Sequence, residues 1–166
     1  VIYNYSENTW SIGSLVRTAW LDQDVFDKPL ATASNYLYNQ ESGQDDDGSP
    51  MDNVFVESSD FDLNEGNSLS FLKRIIPDIK FYGTNTDSGG PIINMLWKTR
   101  NFPIDSLSTN VTKDVSNNTD QLYVRARARQ AVIRLQSDDD GASGNRLGVQ
   151  WRLGYTRLDL QPDGRR

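Results

Sequence analysis

Gln121-Leu-Tyr-Val-Arg-Ala-Arg-Ala-Arg-Gln-Ala-Val-Ile-Arg-Leu-Gln-Ser137 alternates apolar and polar residues with a period of two. That alternation is the signature of a half-buried β-strand. Arg125, Arg127 and Arg129 fall on one face, opposite Val124, Ala126 and Ala128. Past Gln130 the phase slips: Ala131, Ile133 and Leu135 become the apolar set, with Arg134 and Gln136 polar. A second run, Arg146–Leu160, does the same: Leu147, Val149, Trp151, Leu153 and Tyr155 share one phase, Gly154 intervenes, and Leu158 and Leu160 take over. A one-residue slip exchanges the two faces of a strand, so each slip predicts a bulge or a strand that changes sheets. Between the runs lies Asp138-Asp-Asp-Gly-Ala-Ser-Gly-Asn145, rich in turn-forming residues. The expectation is a hairpin in which Ala131–Ser137 pairs antiparallel with Arg146–Leu153 and Trp151 lies in the core.

The rest of the chain reads the same way. Val1–Tyr5, a turn at residues 6–9 and Trp10–Leu15 form a hairpin pattern. A hairpin of this kind is marginal alone, so Val1–Leu15 reads as a terminal hairpin whose partners lie upstream, and residues 1–40 are expected to be protease-sensitive. Residues 16–35 read as loop, Tyr36–Gln40 as a short strand, and the acidic, turn-forming residues 41–52 as an internal boundary. Val54–Ser58 is another short strand. Ser68–Tyr82 alternates until Pro77, which demotes its latter half to an edge or a bend. Pro91–Arg100 is a further strand, and residues 101–120, rich in Asn, Ser, Thr and Asp, read as a long surface loop. No amphipathic helical run of ten or more residues is visible. The predicted fold is all-β: a β-sandwich-like domain over residues 46–166, preceded over residues 1–45 by a fragment of a β-propeller-like blade.

Composition bounds the function. The 166 residues contain neither His nor Cys, which removes the usual general base, the usual zinc ligands, thiolate chemistry and disulfides. Carboxylate pairs of the glycosidase kind stay open, but with 23 acidic residues, mostly in turns, none stands out. Asp45-Asp-Asp-Gly48 and Asp138-Asp-Asp-Gly141 invite a calcium reading. The EF-hand frame fails in both: it places Gly43 and Val54, or Gln136 and Leu147, where ligands belong. No apolar run reaches the ~20 residues of a membrane span, and no signal peptide is visible. Aromatics such as Tyr3, Tyr5, Trp10 and Trp20 could stack on sugars, but aromatics at period-two positions are more often core, and Trp151 is in phase with core positions. The three Asn-x-Ser/Thr triplets are expected by chance in so polar a chain.

Charge is unevenly spread. Residues 121–166 hold nine Arg against five Asp, a net +4; the whole chain is −6, so residues 1–120 carry −10. An acidic body disfavours non-specific nucleic-acid binding. The Arg face is either solvated or meets carboxylates of a neighbouring copy or subdomain.

Three stretches together carry a family resemblance: Tyr3-Asn-Tyr5…Trp10…Gly13…Arg17-Thr-Ala-Trp20-Leu-Asp22; Phe61-Asp-Leu63…Glu65-Gly66…Ile76-Pro-Asp78; and Arg127-Ala-Arg-Gln130…Trp151-Arg-Leu-Gly154…Arg157-Leu-Asp159…Pro162-Asp-Gly-Arg-Arg166. They resemble the C-terminal part of tail nozzle proteins of short-tailed bacteriophages, also called packaged-DNA stabilization proteins. The closing stretch is the most specific. The resemblance implies a virion protein assembled in the host cytoplasm, without catalytic activity or cofactor. It implies a hexameric ring that surrounds the DNA exit channel, next to adaptor and tail fibre or spike proteins, with DNA passing through without sequence-specific binding. The large N-terminal part of such proteins is lacking, as in a fragment of a longer chain. The expected interaction residues are Arg125, Arg127, Arg129, Asp45, Asp46, Asp47, Arg157, Asp159, Arg165 and Arg166, with Asp60–Glu65 as a further acidic partner for the Arg face. The alternatives are a carbohydrate-binding or depolymerising tail module and a calcium-dependent β-sandwich binder.

Overall fold

In the computed structural model, residues 1–44, 47–48, 51, 54–82, 90–137 and 149–164 are described. They contain fifteen strands, one 3-10 turn at Asn64–Gly66 and no α-helix. The chain divides into two compact units, Val1–Gly43 and Gln44–Arg166. No helix among the described residues is long and apolar enough to cross a membrane.

The first unit begins with the expected hairpin, shorter than the pattern suggested. β1 (Ile2–Asn4) pairs antiparallel with β2 (Thr9–Ser11), Tyr3 opposite Trp10. The Asn4 side chain accepts hydrogen bonds from the backbone of Ser6 (3.1 Å) and Glu7 (3.3 Å), which fixes the turn. Residues 16–35 are not all loop: β3 (Ala19–Leu21) and β4 (Leu30–Ala33) join β5 (Tyr36–Asn39) in an antiparallel sheet. Ser34 and Asn35, both at positive φ (51° and 68°), make the tight turn between β4 and β5. The strands were missed because they are three and four residues long and bury little. Only Pro29, Ala31 and Ala33 are buried among the described residues of this unit.

The second unit is built from two main sheets. One has the order β11 (Ser108–Ser116), β10 (Ile92–Arg100), β13 (Gln130–Ser137), β6 (Val54–Glu57), with β7 (Phe61–Asp62) also on β13. The other has the order β12 (Leu122–Ala128), β8 (Ser70–Ile76), β15 (Arg157–Pro162). A two-stranded sheet, β9 (Ile79–Tyr82) with β14 (Gln150–Leu153), completes it. Every pairing is antiparallel.

Alternation decides which residues enter the core. On β10, Ile93, Met95 and Trp97 are buried, and on β12 so are Leu122, Val124, Ala126 and Ala128. Leu72 and Ile75 of β8, Val115 of β11, and Ala131 and Leu135 of β13 join the same cluster. Both sheets therefore bury their inner faces in one core, as in a sandwich. The Phe61 ring packs edge-on against Trp97 at 6.0 Å. Each fully buried large side chain stabilises the fold by about 1.5–3 kcal/mol.

The two phase slips are real, and both mark a change of sheet. At Arg129 the chain leaves the β12 sheet and enters the β13 sheet, while Leu63 N donates to Arg129 O at 2.7 Å. The second change is shared by two neighbouring strands. β8 breaks at Pro77–Asp78 into β9, and β14 breaks at residues 154–156 into β15. Gly154 N donates to Asp78 O at 2.6 Å, and Tyr155 N to Asp78 Oδ2 at 3.1 Å. A Cβ on Gly154 would lie 2.5 Å from Asp78 Oδ2, so this corner requires glycine.

The expected hairpin is overturned. β13 pairs with β10, β6 and β7, whereas the run containing Trp151 pairs with β9, Trp151 opposite Phe81. The expected turn at residues 138–145 lies outside the described residues. Trp151 is half-buried against the core rather than within it, and its Nε1 donates to Ser137 Oγ at 2.6 Å. A second correction concerns residues 101–120. Ser108–Ser116 is a nine-residue strand, not loop. It lies at the edge of its sheet, where solvent reaches both faces, so polar residues serve nearly everywhere.

Candidate interaction surfaces

The outer face of the β12–β8–β15 sheet carries the arginines singled out in the sequence. The three do not act as a set. Arg125 and Arg127 are exposed on β12, opposite buried Val124, Ala126 and Ala128, while Arg129 lies past the strand end and is half-buried. Arg127 forms an ion pair with Asp163 and also donates to Asp163 O at 2.9 Å. Arg129 donates to Asn67 O at 3.4 Å, with its guanidinium 5.1 Å above the Phe102 ring. Arg125 makes no hydrogen bond or ion pair to the described residues.

Arg125 owes its position to a bulge. Tyr123 faces Arg74 and Ala126 faces Leu72, so Val124 and Arg125 together oppose Lys73. Arg125 takes φ of +55° there, an uncommon conformation for a residue with a Cβ. The same Lys73 is the extra residue of β8 against β15, where Asp159 faces Arg74 and Leu160 faces Leu72. Lys73 is exposed and, like Arg125, has no ion-pair partner among the described residues. The bulge thus aims two cations outward side by side.

Arg157 and Asp159 share this sheet but do not pair with each other. Asp159 accepts from Arg74 Nε at 3.0 Å, and Arg74 Nη1 donates to Gln121 at 3.0 Å. Arg157 is exposed, opposite Ile76. Asp47 is exposed. Asp45, Asp46, Arg165 and Arg166 lie outside the described residues. The face therefore presents Lys73, Arg125 and Arg157 as cations without an ion-pair partner among the described residues, beside two satisfied pairs. Such groups suit carboxylates or phosphates of a partner. Lys73 and Arg74 were legible: two adjacent cations in an otherwise alternating strand signal a bulge.

The acidic segment 60–65, expected to await a partner's arginines, is largely used within the unit. Asp60 pairs with Arg100, and Asp62 Oδ1 accepts from Gln130 Nε2 at 2.7 Å. Nearby, Glu57 accepts from Lys98 Nζ at 2.6 Å and from Arg134 Nη1 at 3.4 Å, while Arg134 lies 3.8 Å above the Phe55 ring. The Lys98 hydrogen bond is the largest cause holding the Glu57 carboxyl below its usual 4.5; burial opposes it, and the Lys98 and Arg134 charges and the Arg134 hydrogen bond add to it. These pairings were invisible in sequence, because the partners lie 40 or more positions apart.

In the first unit, Tyr3 and Trp10 stack at 4.4 Å with Trp10 70% exposed. Among the described residues, no group of three or more His, Cys, Asp or Glu is placed to hold a metal ion. Comparison with family models, with curated proteins and with solved structures found no match.

Proposed function

We propose that this chain is a structural component of a short bacteriophage tail, a nozzle subunit that assembles as a ring around the DNA exit channel. The carrying observation is the closing stretch from Trp151 to Arg166, where the resemblance is most specific. Its residues are ones this fold relies on: Gly154 closes the strand corner on Asp78, Asp159 ties β15 to Arg74, and Asp163 ties the chain end to Arg127. A role in assembly rather than catalysis suits a chain without His or Cys. Lys73, Arg125 and Arg157 then serve contacts with acidic surface of a neighbouring subunit. A conduit for DNA gains nothing from phosphate clamps, since each neutralised phosphate adds roughly 0.9 to the salt slope of binding.

A second reading, carbohydrate recognition at the host surface, is favoured by the exposed Tyr3–Trp10 platform. Native mass and electron microscopy of the purified chain, with polysaccharide and duplex DNA binding measured alongside, separate the two. Closed rings that bind neither polymer tightly are the expected result. A monomer that binds polysaccharide overturns the nozzle reading.

A further inference from the structure

The sheet β11-β10-β13-β6 ends in two edges that match each other. Three successive antiparallel pairings separate them, so β11 and β6 run in opposite directions. Natural edges are commonly blunted by bulges, charges or proline. The edges of the neighbouring sheet are: β12 has the Arg125 bulge, and β15 has Pro162 and its own register shift. β6 is not. It reads Val54-Phe-Val-Glu57, exposed at all four residues. β11 has its irregularity at Asn110, which leaves Val111–Ser116 in regular register with Ile92–Trp97.

The hydrogen bonds fix which backbone groups of each edge point away from the sheet. Ser58 N donates to Ile133 O at 3.0 Å and Leu63 N to Arg129 O at 2.7 Å. Odd-numbered residues of β13 therefore turn toward β6 and β7, and even-numbered ones toward β10. Val56 faces Leu135 in a hydrogen-bonded pair, which leaves Phe55 and Glu57 with N–H and C=O directed outward. Across β10, Arg134 faces Leu96, so Met95 turns the other way and pairs with Lys113. Thr112, Asp114 and Ser116 of β11 then point outward. Ser116 uses both its groups on Thr119, at 3.0 and 3.1 Å. Two outward residues remain on each edge: Thr112 and Asp114 on one, Phe55 and Glu57 on the other.

We infer that copies of this chain join edge to edge, β11 of one copy pairing antiparallel with β6 of the next through Thr112 opposite Glu57 and Asp114 opposite Phe55. One sheet then runs through successive copies, with the pairing already used inside each. The junction covers Phe55 and Val56, 44% and 50% exposed in the single copy. It also sets the incoming Asp114 carboxylate beside the Phe55 ring, over which Arg134 lies at 3.8 Å. The contact is heterologous, so it propagates head to tail into a ring or a filament. It rests on the sheet alone and stands apart from any virion role.

Two substitutions test it by sedimentation velocity at high concentration. Asp114→Pro and Phe55→Pro each remove an outward N–H that bonds to none of the described residues, unlike Lys113→Pro, whose N–H faces β10. The native chain assembles, and each variant alone is monomeric. Their mixture forms a one-to-one dimer through the single intact edge pair. In the native chain, amides of Phe55, Glu57, Thr112 and Asp114 gain roughly tenfold or more protection from exchange as concentration rises. That readout needs no variant. A native chain that stays monomeric, a mixture that stays monomeric, or amides indifferent to concentration overturns the junction. Rings unaffected by both substitutions end the junction and spare the nozzle reading; open filaments joined through this edge do the reverse.

Discussion

The two units use the same strand chemistry to different ends. In the second, alternation drives thirteen residues into one buried cluster, with Trp97, Leu72, Ile75 and Ile93 at 1% exposure or less. In the first, the strands are just as aromatic, yet Trp10, Trp20 and Tyr36 are 70%, 50% and 68% exposed. Its buried residues are Pro29, Ala31 and Ala33. The lesson is that β-pattern alone does not make a core. A strand needs a second layer to bury its apolar face, and three-residue strands in a hairpin or small sheet supply little.

The contrast breaks most visibly at tryptophan. Trp97→Ala should cost about 3–5 kcal/mol in urea unfolding, because it leaves a cavity among Met95, Phe61 and the opposing sheet. Trp10→Ala should leave the same transition unmoved. Equal losses would mean that the first unit has a core of its own. Trp151 falls between: half-buried and bonded to Ser137, its replacement by Ala should cost about 2 kcal/mol.

A smaller effect probes the strand corner. Gly154→Ala forces the Asp78 carboxylate aside and breaks its bond to Tyr155 N, for about 1–2 kcal/mol. In an Asp78→Ala background the added cost should shrink, since the clash and the bond are already gone. Additive losses would show that the corner does not depend on this contact.

The smallest effect is electrostatic. Glu57 is held below its usual 4.5, so its contribution is fully present above that value. It is lost as pH falls through the lowered folded value. Glu57→Gln should cost at most about 1 kcal/mol at neutral pH, as expected for an exposed network. It should also flatten the loss of stability on acidification. A variant with an unchanged acid profile would remove Glu57 from the account.

How much of this was legible follows from the same contrast. Where one face is buried, as in Leu122–Ala128 and Ile92–Arg100, period two reads directly, and the slips at Gln130 and Gly154 located both changes of sheet. Which strand pairs with which was not legible. β13 and the Trp151 run have matching phases, but so does any pair of core strands, and the nearer partner in sequence was the wrong one. β11 escaped because an edge strand carries no burial signal over most of its length. The arginine face was visible as a face. Its division into Arg127 and Arg129, which are bonded, and Arg125, which has no ion-pair partner among the described residues, depends on Asp163, Asn67 and Lys73, which only the folded chain brings near.

Amide hydrogen exchange of the native chain tests the central claim, that the second unit has a core and the first has none. Amides of Ile93–Trp97, Leu135 and Leu72 should exchange only through global unfolding, while those of residues 1–43 exchange at least about a thousandfold faster. Comparable protection in the two units, lost together with denaturant, would contradict it.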